Sequence, residues 1–480
     1  TTAEFTQVTY KQIFEEVVAV YEAIDDTVSA NNNPRAKFAG CIVRAGGHNF
    51  MDFRVDSEGV TSGGSDGCID FADADNTGLA DCLESSTLAE VYGNHCTTVS
   101  LADFLVIAGE AVMTRTSFAW PEGDDKWIEG GGPYLVMDNF KFGRTSAETC
   151  DQSGLSLMPN QELGCAGLKD IFVDNIYKAQ GAMAWNLTAA ISGAHTLGSA
   201  SIENSGYNGF WDGPEESGKF NNGYYKSLLF KGWYQELAVD GNPDKNQFKR
   251  IDQARGADHK EMMLSTDMCL AFDANQAAAD DDCKRLKNCE WTLEDSEPLL
   301  AQSHDCCAWV EPKFIYDNEI YTEDETFAFC GIPDFQAGFG GGGTGDNARK
   351  SCCAKGRDGE QDSSFGDCDF KRTPQGPAIE AIIELASDDA FFLQAFLYSW
   401  SIATTNGYDE SLTPIGEGQG IGWYDQYFVV EDDGKKKCKV NFKKCLKKSP
   451  EKMVQCFVGQ AWNWLTCKAG MGGNGGKDKK

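Results

Sequence analysis

The stretch LTAAISGAHTLG, residues 187–198, is the strongest indication of the fold because it places one histidine, His195, near the end of an apolar helical pattern. Small residues on either side of His195 leave room for a flat group to approach it. A histidine on an apolar face is more often a satisfied core residue than a ligand. A ligand role also requires an acceptor for the second ring nitrogen. Asp267 is a candidate acceptor, although spacing alone does not select it from 74 acidic residues.

A second informative stretch is RAGGHN, residues 44–49. Arg44 and His48 stand at i and i+4 and therefore share one face of a helix. A neutral histidine beside a fixed positive charge has a lowered proton affinity, which suits a base that must be free near neutral pH. Taken alone, such a pair is more often an ordinary surface pair.

The composition favours a large globular protein of an oxidising compartment. The chain has 480 residues, 41% of them hydrophobic, and 19 cysteines, which is too many for a compartment that keeps thiols reduced. The cysteines form no CxxC…CxxC framework, so disulfides are favoured over zinc sites. We therefore expect an extracellular, secreted protein whose signal peptide has been removed and which has no membrane span.

The net charge of −32 is unevenly distributed. From Gly434 onward, 13 Lys stand against Glu451 and Asp478, a net of +11 that leaves −43 on the rest of the chain. A body this acidic should repel nucleic acid and attract cations or a cationic protein donor. The basic tail either binds a polyanion or folds back on the acidic body.

Apolar spacing and cysteine use predict the organisation of the chain, which is mostly α-helical with few, short strands. The predicted helices cover residues 6–30, 38–53, 101–114, 168–180, 187–197 and 378–401. Eight cysteines crowd into Cys283–Cys368, a segment too polar to form its own core, so we predict a disulfide-held insertion at about 274–376. The main domain is then 1–430, interrupted by this insertion, and a basic cysteine-containing tail covers 431–480.

Further motifs accompany the two histidine stretches. They are GGSDG (63–67), NTGL (76–79), SLAD (100–103), GR (143–144), NSGYNGFW (204–211), FNNGYY (220–225), MMLSTD (262–267) and FF (391–392). Together they resemble the plant, fungal and bacterial haem peroxidase superfamily, and the half around His195 is most similar to the cytochrome c peroxidases. The resemblance covers roughly residues 5–272 and 380–405. It implies the haem peroxidase fold, with haem b between a distal helix carrying His48 and a proximal helix carrying His195.

The resemblance implies a role for each residue of the site. His195 is expected to be the axial iron ligand, and Asp267 to accept its ring proton, which favours the oxidised states of iron. His48 is expected to move a proton between the two peroxide oxygens, while Arg44 stabilises negative charge as the O–O bond breaks. Asn76 is expected to accept from the other His48 nitrogen, so that the nitrogen facing peroxide stays free as a base.

Two further sets of residues follow from the same resemblance. Trp211 stands sixteen residues after His195, the position of the proximal tryptophan in cytochrome c peroxidases. There an indole either holds an oxidising equivalent as a radical or serves as a packing aromatic. Thr196, Asp212 and Asn221 partly match the family's proximal cation site, so calcium or another structural cation is a candidate ligand.

The chain also departs from the family pattern. Gly47 stands where the family has Trp or Phe over the haem, so the distal pocket is expected to be wider or filled from elsewhere. Asn49 replaces the aspartate of the distal calcium site and Cys68 replaces a hydroxyl, which puts that site in doubt. Asn204 replaces the ascorbate-binding arginine, and the acidic pair that binds manganese is absent. The sequence therefore does not identify the reductant.

Three functions remain open at this point. The first is a haem peroxidase that reduces hydrogen peroxide and, through a ferryl intermediate, oxidises small reductants or extracellular polymers in a response to oxidative stress. The second is electron transfer from a cationic protein. The third is a structural or adhesive extracellular protein built on a peroxidase scaffold. The presence of Arg44, His48, His195 and Asp267 favours an active enzyme, and an absorption spectrum before and after peroxide separates the first two functions from the third.

Overall fold

The structure is a computed structural model, and it describes part of the chain. The described residues are 5–29, 32–83, 88–129, 131–150, 157–230, 233–236, 238–250, 260–272, 307–308, 376–408 and 411–416. The predicted tail and, apart from residues 307–308 and 376, the predicted insertion lie outside them.

Helices account for most of the described secondary structure, which confirms the predicted mostly α-helical class. The α-helices are α1 (Gln7–Glu22), α2 (Pro34–Met51), α3 (Leu79–Leu83), α4 (Leu88–His95), α5 (Leu101–Thr116), α6 (Gly132–Asn139), α7 (Cys165–Leu168), α8 (Ala184–Ser192), α9 (Ile202–Ser205), α10 (Gly223–Phe230), α11 (Ser265–Ala271), α12 (Ile379–Ser387) and α13 (Asp389–Thr405). A π-helix covers Lys169–Ile176, and 3₁₀ turns cover Ala74–Asn76, Gln161–Leu163, Lys178–Met183, Gly193–Thr196, Glu216–Gly218 and Val239–Gly241. Among these residues, no helix has the length and apolar character that a bilayer crossing needs.

The strands are short. They are β1 (Arg54–Val55), β2 (Thr61–Ser62), β3 (Lys141–Phe142), β4 (Trp233–Glu236), β5 (Gln247–Arg250), β6 (Met262–Met263), β7 (Cys307–Ala308) and β8 (Thr413–Pro414). They pair antiparallel as β1–β2, β3–β8 and the four-stranded order β6–β5–β4–β7. Strand β7 belongs to the predicted insertion and aligns Ala308 with Trp233, so this piece of the insertion extends a sheet of the main domain.

The helix predicted over 168–180 is observed as α7, the π-helix and a 3₁₀ turn in succession, and the helices predicted over 6–30 and 378–401 are shorter or divided in the structure. The helix predicted over 6–30 ends at Glu22, and Asp25 then accepts from the backbone N–H of Thr27 at 3.1 Å, which forms a turn. The helix predicted over 378–401 is two helices. Asp388 is extended between them, and its carboxylate accepts from the Phe391 N–H at 2.9 Å, which caps α13.

The core is organised around α5, which is buried on nearly every side between α1 and α2. Trp400 of α13 reaches into this layer and is 1% exposed. Its ring lies 2.5 Å from where a Cβ on Gly46 of α2 would stand, and 2.9 Å from the same point on Gly109 of α5. Any larger residue at these two positions would push the helices apart.

A buried ion pair ties the start of α5 to the end of α13. The Nη1 of Arg144 lies 2.7 Å from the Asp103 carboxylate, and both side chains are almost fully buried. Arg144 also donates through Nε to the Thr404 carbonyl at 2.7 Å. Removing one member of such a pair strands a buried charge and typically costs about 3–5 kcal/mol.

Within the part of the chain that the structure describes, three disulfides join segments that are distant in the sequence, as the cysteine content predicted. They are Cys41–Cys82, Cys68–Cys150 and Cys165–Cys269. The third closes a separation of 104 residues and fixes α11 against α7, a constraint on the unfolded chain worth on the order of 4 kcal/mol. It also sets the position of Asp267, two residues before Cys269.

Candidate active site

The distal side of the candidate site is built on α2. Pro34 occupies the first turn, where its missing N–H costs nothing, and the Asn33 side chain caps the helix by accepting from the Ala36 N–H at 3.1 Å. The regular helix that follows places Arg44 and His48 on one face, with the Nε of Arg44 3.3 Å from the Nε2 of His48.

Asn76 fixes the tautomer of His48. The Nδ1 of His48 lies 2.8 Å from the Oδ1 of Asn76, whose amide N–H is committed to the Asp70 carbonyl at 2.9 Å. Because Asn76 therefore presents its oxygen, Nδ1 carries the ring proton and Nε2 is unprotonated. Burial, and after it the charge of Arg44, lower the pKa of His48 to about 3. His48 is thus a neutral base near pH 7.

Arg44 closes over the unprotonated nitrogen of His48. Its Nη1 donates to the Thr77 carbonyl at 2.9 Å and its Nη2 to the Asp75 carbonyl at 2.5 Å. Asp75 belongs to the 3₁₀ turn that presents Asn76 to His48, and Thr77 follows that turn. The segment that orients His48 therefore also anchors the guanidinium of Arg44. The Nε–H is the group that remains directed at His48.

The proximal side lies where α8 ends. The helix predicted over 187–197 stops at Ser192, and the tighter turn Gly193–Thr196 carries His195. The Nδ1 of His195 lies 2.8 Å from the Oδ1 of Asp267, in the first turn of α11. The carboxylate is 1% exposed, whereas the imidazole is 35% exposed. The structure thus selects Asp267 from the many acidic residues.

Asp267 accepts three further hydrogen bonds. The Tyr224 hydroxyl donates to Oδ1 at 2.8 Å, while the Trp211 indole and the Leu264 backbone N–H donate to Oδ2 at 2.8 and 2.7 Å. Burial alone would raise the pKa of Asp267, but the charge and hydrogen bond of His195, with the Leu264 and Trp211 donors, hold it below its usual range. A carboxylate on Nδ1–H makes the imidazole a stronger ligand through Nε2.

Two aromatic side chains frame His195. The Trp211 ring stacks on the imidazole with centroids 4.3 Å apart and planes 19° apart, and Tyr224 meets it edge-on at 5.9 Å. Residue type and spacing in the sequence do not point to Tyr224. Its neighbour Tyr225 donates to the Ala189 carbonyl at 2.8 Å instead, and adjacent tyrosines carry no sequence signal that tells which hydroxyl faces the site.

The donors and the space at this site fit a histidine-ligated haem. The Nδ1 of His195 is occupied by Asp267, while Nε2 has no partner among the described residues, and a third of the side chain is uncovered. Gly193 allows the close packing of Phe392 and Tyr225 behind this turn, since a Cβ there would stand 2.4 Å from the Phe392 ring. An imidazole with one nitrogen fixed by a carboxylate and the other free is the arrangement that holds haem iron in peroxidases.

The distal residues that depart from the family pattern are Gly47, Asn49 and Cys68, and the structure shows what surrounds each of them. Beside Gly47, the methyl group of Met51 lies 3.5 Å from where a Cβ would stand, so a flexible thioether borders this space instead of an indole. The Oδ1 of Asn49 accepts from the Gly67 N–H at 2.8 Å, and the sulfur of Cys68 is in a disulfide. The Cys68 sulfur is thus committed to a covalent bond, and the Asn49 oxygen already accepts one hydrogen bond.

The three residues of the candidate proximal cation site are brought together. Asn221 Oδ1 accepts from the Thr196 hydroxyl at 3.2 Å and from the Gly223 N–H at 2.9 Å. Asp212 accepts from the Ser227 hydroxyl, and its carboxylate fills the space that a Cβ on Gly223 would need. An oxygen-only cluster of this kind suits a hard cation.

The fold is helical, and its site holds one histidine bound to a carboxylate and one paired with an arginine. This combination fits the class of proteins that bind a histidine-ligated haem between helices. A model of the peroxidase family matches residues 25–283. The match covers more than half of the chain, and the chain therefore belongs to the peroxidase family.

Individual relatives match shorter stretches. Mitochondrial cytochrome c peroxidase of Yarrowia lipolytica is 34% identical over 147 residues, which is 31% of this chain and 37% of the relative. L-ascorbate peroxidase 3 of Arabidopsis thaliana is 35% identical over 99 residues, 21% of this chain and 30% of the relative. The matched stretches thus span less than half the length of either relative.

Proposed function

We propose that this protein is a haem-dependent peroxidase that binds haem b through His195, reduces hydrogen peroxide and oxidises an electron donor. One observation carries the proposal: the site holds two imidazoles in opposite settings. Asp267 makes His195 a basic ligand, whereas Asn76 and Arg44 keep His48 neutral. Peroxide cleavage at haem iron requires one histidine that binds the iron and another that acts as a free base.

Haem, when bound, supplies an iron that takes up the peroxide oxygen and stores oxidising equivalents. The residues of this chain supply the rest. His195 would hold the iron through Nε2, and the four hydrogen bonds to Asp267 keep the imidazole from rotating. The negative charge of Asp267 reaches the ligand through Nδ1–H, which favours the oxidised states of the metal.

His48 would take a proton from hydrogen peroxide at Nε2 and return it to the oxygen that leaves as water. A pKa of about 3 leaves that nitrogen free at every physiological pH. The peroxide would replace the hydrogen bond that Arg44 Nε makes to this nitrogen at 3.3 Å. The guanidinium is then beside the breaking O–O bond, where its charge stabilises the departing oxygen.

Trp211 is the group that would hold an oxidising equivalent on the proximal side. It stacks on His195 at 4.3 Å and donates its N–H to Asp267 at 2.8 Å. The nearby negative charge favours a tryptophan cation radical, because it offsets the positive charge that forms. Trp211 is also buried, so the competing interpretation is that it serves packing alone.

Secretion and the nature of the donor also belong to this proposal. Three disulfides in the described residues suit an extracellular, oxidising setting. The donor would be a small reductant or an extracellular polymer. The strongly acidic composition of the main domain would also attract a cationic protein donor.

The cluster of Thr196, Asp212 and Asn221 would bind calcium or another structural cation. The support is the convergence of their oxygens beside Gly223, immediately after the predicted iron ligand. Metal analysis of the purified protein, compared with Asp212→Asn, tests this point: the variant should lose one equivalent of the cation.

The proposed function is tested by the absorption spectrum of the purified full chain with haem, before and after hydrogen peroxide. The native protein should show a Soret band that shifts with peroxide, and His195→Ala should lose the native band. His95→Ala is the matched control, because His95 pairs with Glu16 at 3.1 Å, away from the proposed iron ligand. A native spectrum in His195→Ala, or no Soret band in the wild type, would contradict the proposal.

A further inference from the structure

The distal turn, residues 75–77, makes the hydrogen bonds that orient both members of the proposed peroxide site. Its middle residue, Asn76, accepts from the Nδ1 of His48 at 2.8 Å, and the carbonyls on either side accept from the two Nη groups of Arg44 at 2.5 and 2.9 Å. Hydrogen bonds are lost beyond about 3.5 Å. A small shift of the distal turn away from α2 would therefore release both side chains.

The distal turn is not held in place by its own burial or backbone bonds. Asp75 and Thr77 are exposed, and only Asn76 is buried. The backbone bonds are local, since the N–H of Asn76 donates to the Asp73 carbonyl at 3.1 Å and that of Thr77 to the Ala74 carbonyl at 3.2 Å. Exposed segments with local bonds open readily. The position of the turn relative to α2 must therefore come from its neighbours.

The disulfide between Cys41 and Cys82 joins the distal turn to the helix that it serves. Cys41 lies on α2, seven residues before His48, so the two side chains share one helix face. Cys82 lies on α3, six residues after Asn76. The Cys41 sulfur is also 3.7 Å from the carbonyl oxygen of Gly78, directly after the turn. The bond thus fastens the turn to α2 close to the side chains that it orients.

Apolar packing also joins α3 to α2, but it does not fix the position of the turn. Ala45 and Leu79 are fully buried in one cluster, and Cys41 packs against it. Apolar contact is non-directional, so it keeps the helices together without setting how one lies along the other. A protein that lacks the disulfide should therefore stay folded while the distal turn gains freedom.

We propose that the Cys41–Cys82 disulfide is a positioning element of the peroxide site, which locks the distal turn onto α2 and thereby holds His48 and Arg44 in place. This inference rests on the proposed peroxidase function. Loss of the disulfide should leave haem bound, because the bond lies on the side away from His195, and should slow the reaction with hydrogen peroxide. A misplacement of about 1 Å costs up to roughly 10²-fold in rate, so we expect a fall of about 10–100-fold.

The pH dependence of the peroxide reaction separates positioning from a gain in stability alone. Arg44 is the charged group that faces His48 on α2, and Asp75 of the distal turn acts on Arg44. Burial and then the Arg44 charge lower the pKa of His48, against a smaller opposite effect of the Asn76 hydrogen bond. Without the disulfide, water should reach His48 and Arg44 should move away. The pKa of His48 should then rise toward its ordinary 6.5, and the rate should fall as the pH drops below that value.

The test is stopped flow with hydrogen peroxide on the haem-loaded full chain of Cys41→Ala/Cys82→Ala. The rate should fall and acquire the new pH dependence, while the Soret band before peroxide stays native. Cys68→Ala/Cys150→Ala is the matched control. It removes a disulfide that closes 82 residues instead of 41, so it should lower stability at least as much. Neither of its cysteines lies on α2 or α3, so the rate and pH profile should stay those of the wild type.

A double-mutant cycle shows whether the disulfide acts through the distal turn. Removing the disulfide should cost less of the peroxide rate in an Asn76→Ala background than in the wild type, because the turn's contact with His48 has already gone. Equal losses in the two backgrounds would mean that the disulfide acts elsewhere and would overturn the inference.

The outcomes separate the positioning role from the peroxidase function. If peroxide leaves the wild-type spectrum unchanged, the proposed function fails and the positioning role fails with it. If the wild type reacts and the disulfide-free variant matches it in rate and pH profile, the positioning role alone is wrong. Where the alanine pair does not fold, Cys41→Ala/Cys82→Val replaces it and refills part of the lost volume. In the wild type itself, the amides of Asn76 and Thr77 should resist hydrogen exchange, and rapid exchange there would also overturn the inference.

Discussion

Replacing Asp267 by Asn should weaken haem binding through a change of tautomer in His195. The native carboxylate accepts from four donors, two on each oxygen. An amide has one oxygen and one NH₂ group, so one pair of donors must face NH₂. The Trp211 and Leu264 N–H groups cannot become acceptors, whereas the Tyr224 hydroxyl can rotate and His195 can move its proton. The NH₂ group of the introduced amide should therefore face His195, whose proton then moves to Nε2, the nitrogen that would bind iron.

The expected weakening of haem binding follows from the free-energy cost of keeping the His195 proton on Nδ1 in the Asp267→Asn variant. Holding the productive tautomer in the variant leaves a buried N–H facing another N–H, which costs about 1–3 kcal/mol. At 1.36 kcal/mol per tenfold, this corresponds to roughly 5–150-fold weaker binding of haem. The range agrees with the loss of about 10–100-fold that is typical when an outer partner of a metal-bound histidine is removed.

The assay is the transfer of haem to an excess of a haem-scavenging apoprotein, followed at the Soret band. Tyr224→Phe is the matched control, because it removes one donor from the same carboxylate oxygen and leaves the His195 tautomer unchanged. Haem should leave Asp267→Asn much faster than Tyr224→Phe or the wild type. Equal rates in the two variants, or wild-type retention in Asp267→Asn, would refute the tautomer argument.

Four other predictions concern peroxide chemistry and stability. His48→Leu should slow the peroxide reaction by about 10²–10⁴-fold in stopped flow with haem content retained, and a normal rate would show that His48 is not the base. Asn76→Asp should raise the pKa of His48, so the same rate should fall at low pH; an unchanged pH profile counts against the tautomer assignment. Trp211→Phe should remove a tryptophan radical signal in electron paramagnetic resonance while peroxide cleavage persists, and if the wild type has no such signal, Trp211 serves packing. Burial raises the pKa of Glu110 from 4.5 to about 8. Between these two pKa values the folded state keeps the Glu110 proton, whereas the unfolded state releases it. The free energy of unfolding should therefore fall as pH rises from 4.5 to about 8. Glu110→Gln should abolish this slope in urea titrations, and a persistent slope would assign it to other groups.

The parts of the site that follow helical spacing could be predicted from the sequence. Arg44 and His48 share a face because α2 is regular from Pro34 to Met51. Helix ends were less predictable: α1 ends at Glu22 with its last bonds made by the backbone, and the break at Asp388 depends on a single side-chain hydrogen bond, and apolar periodicity registers neither.

Long-range partners could be reached only through the family resemblance. Asp267 lies 72 residues from His195, and its position depends on α11 and the disulfide from Cys269 to Cys165. Tyr224 was missed altogether, because the choice between it and Tyr225 depends on how α10 is rotated. Residue type and spacing contain no information on that rotation.

The division of labour between the two histidines rests on the atom that each Nδ1 meets. At His195 that atom belongs to an anion fixed by three other donors, so the proton on Nδ1 is drawn away from the ring and Nε2 gains electron density. At His48 it belongs to a neutral amide, and Arg44 adds a positive charge, so Nε2 remains a weak base that releases its proton readily. The same side chain thus serves as a strong ligand in one place and a proton carrier in the other. The difference comes from a carboxylate on α11 and an amide in a 3₁₀ turn, neither of which is near its histidine in the sequence.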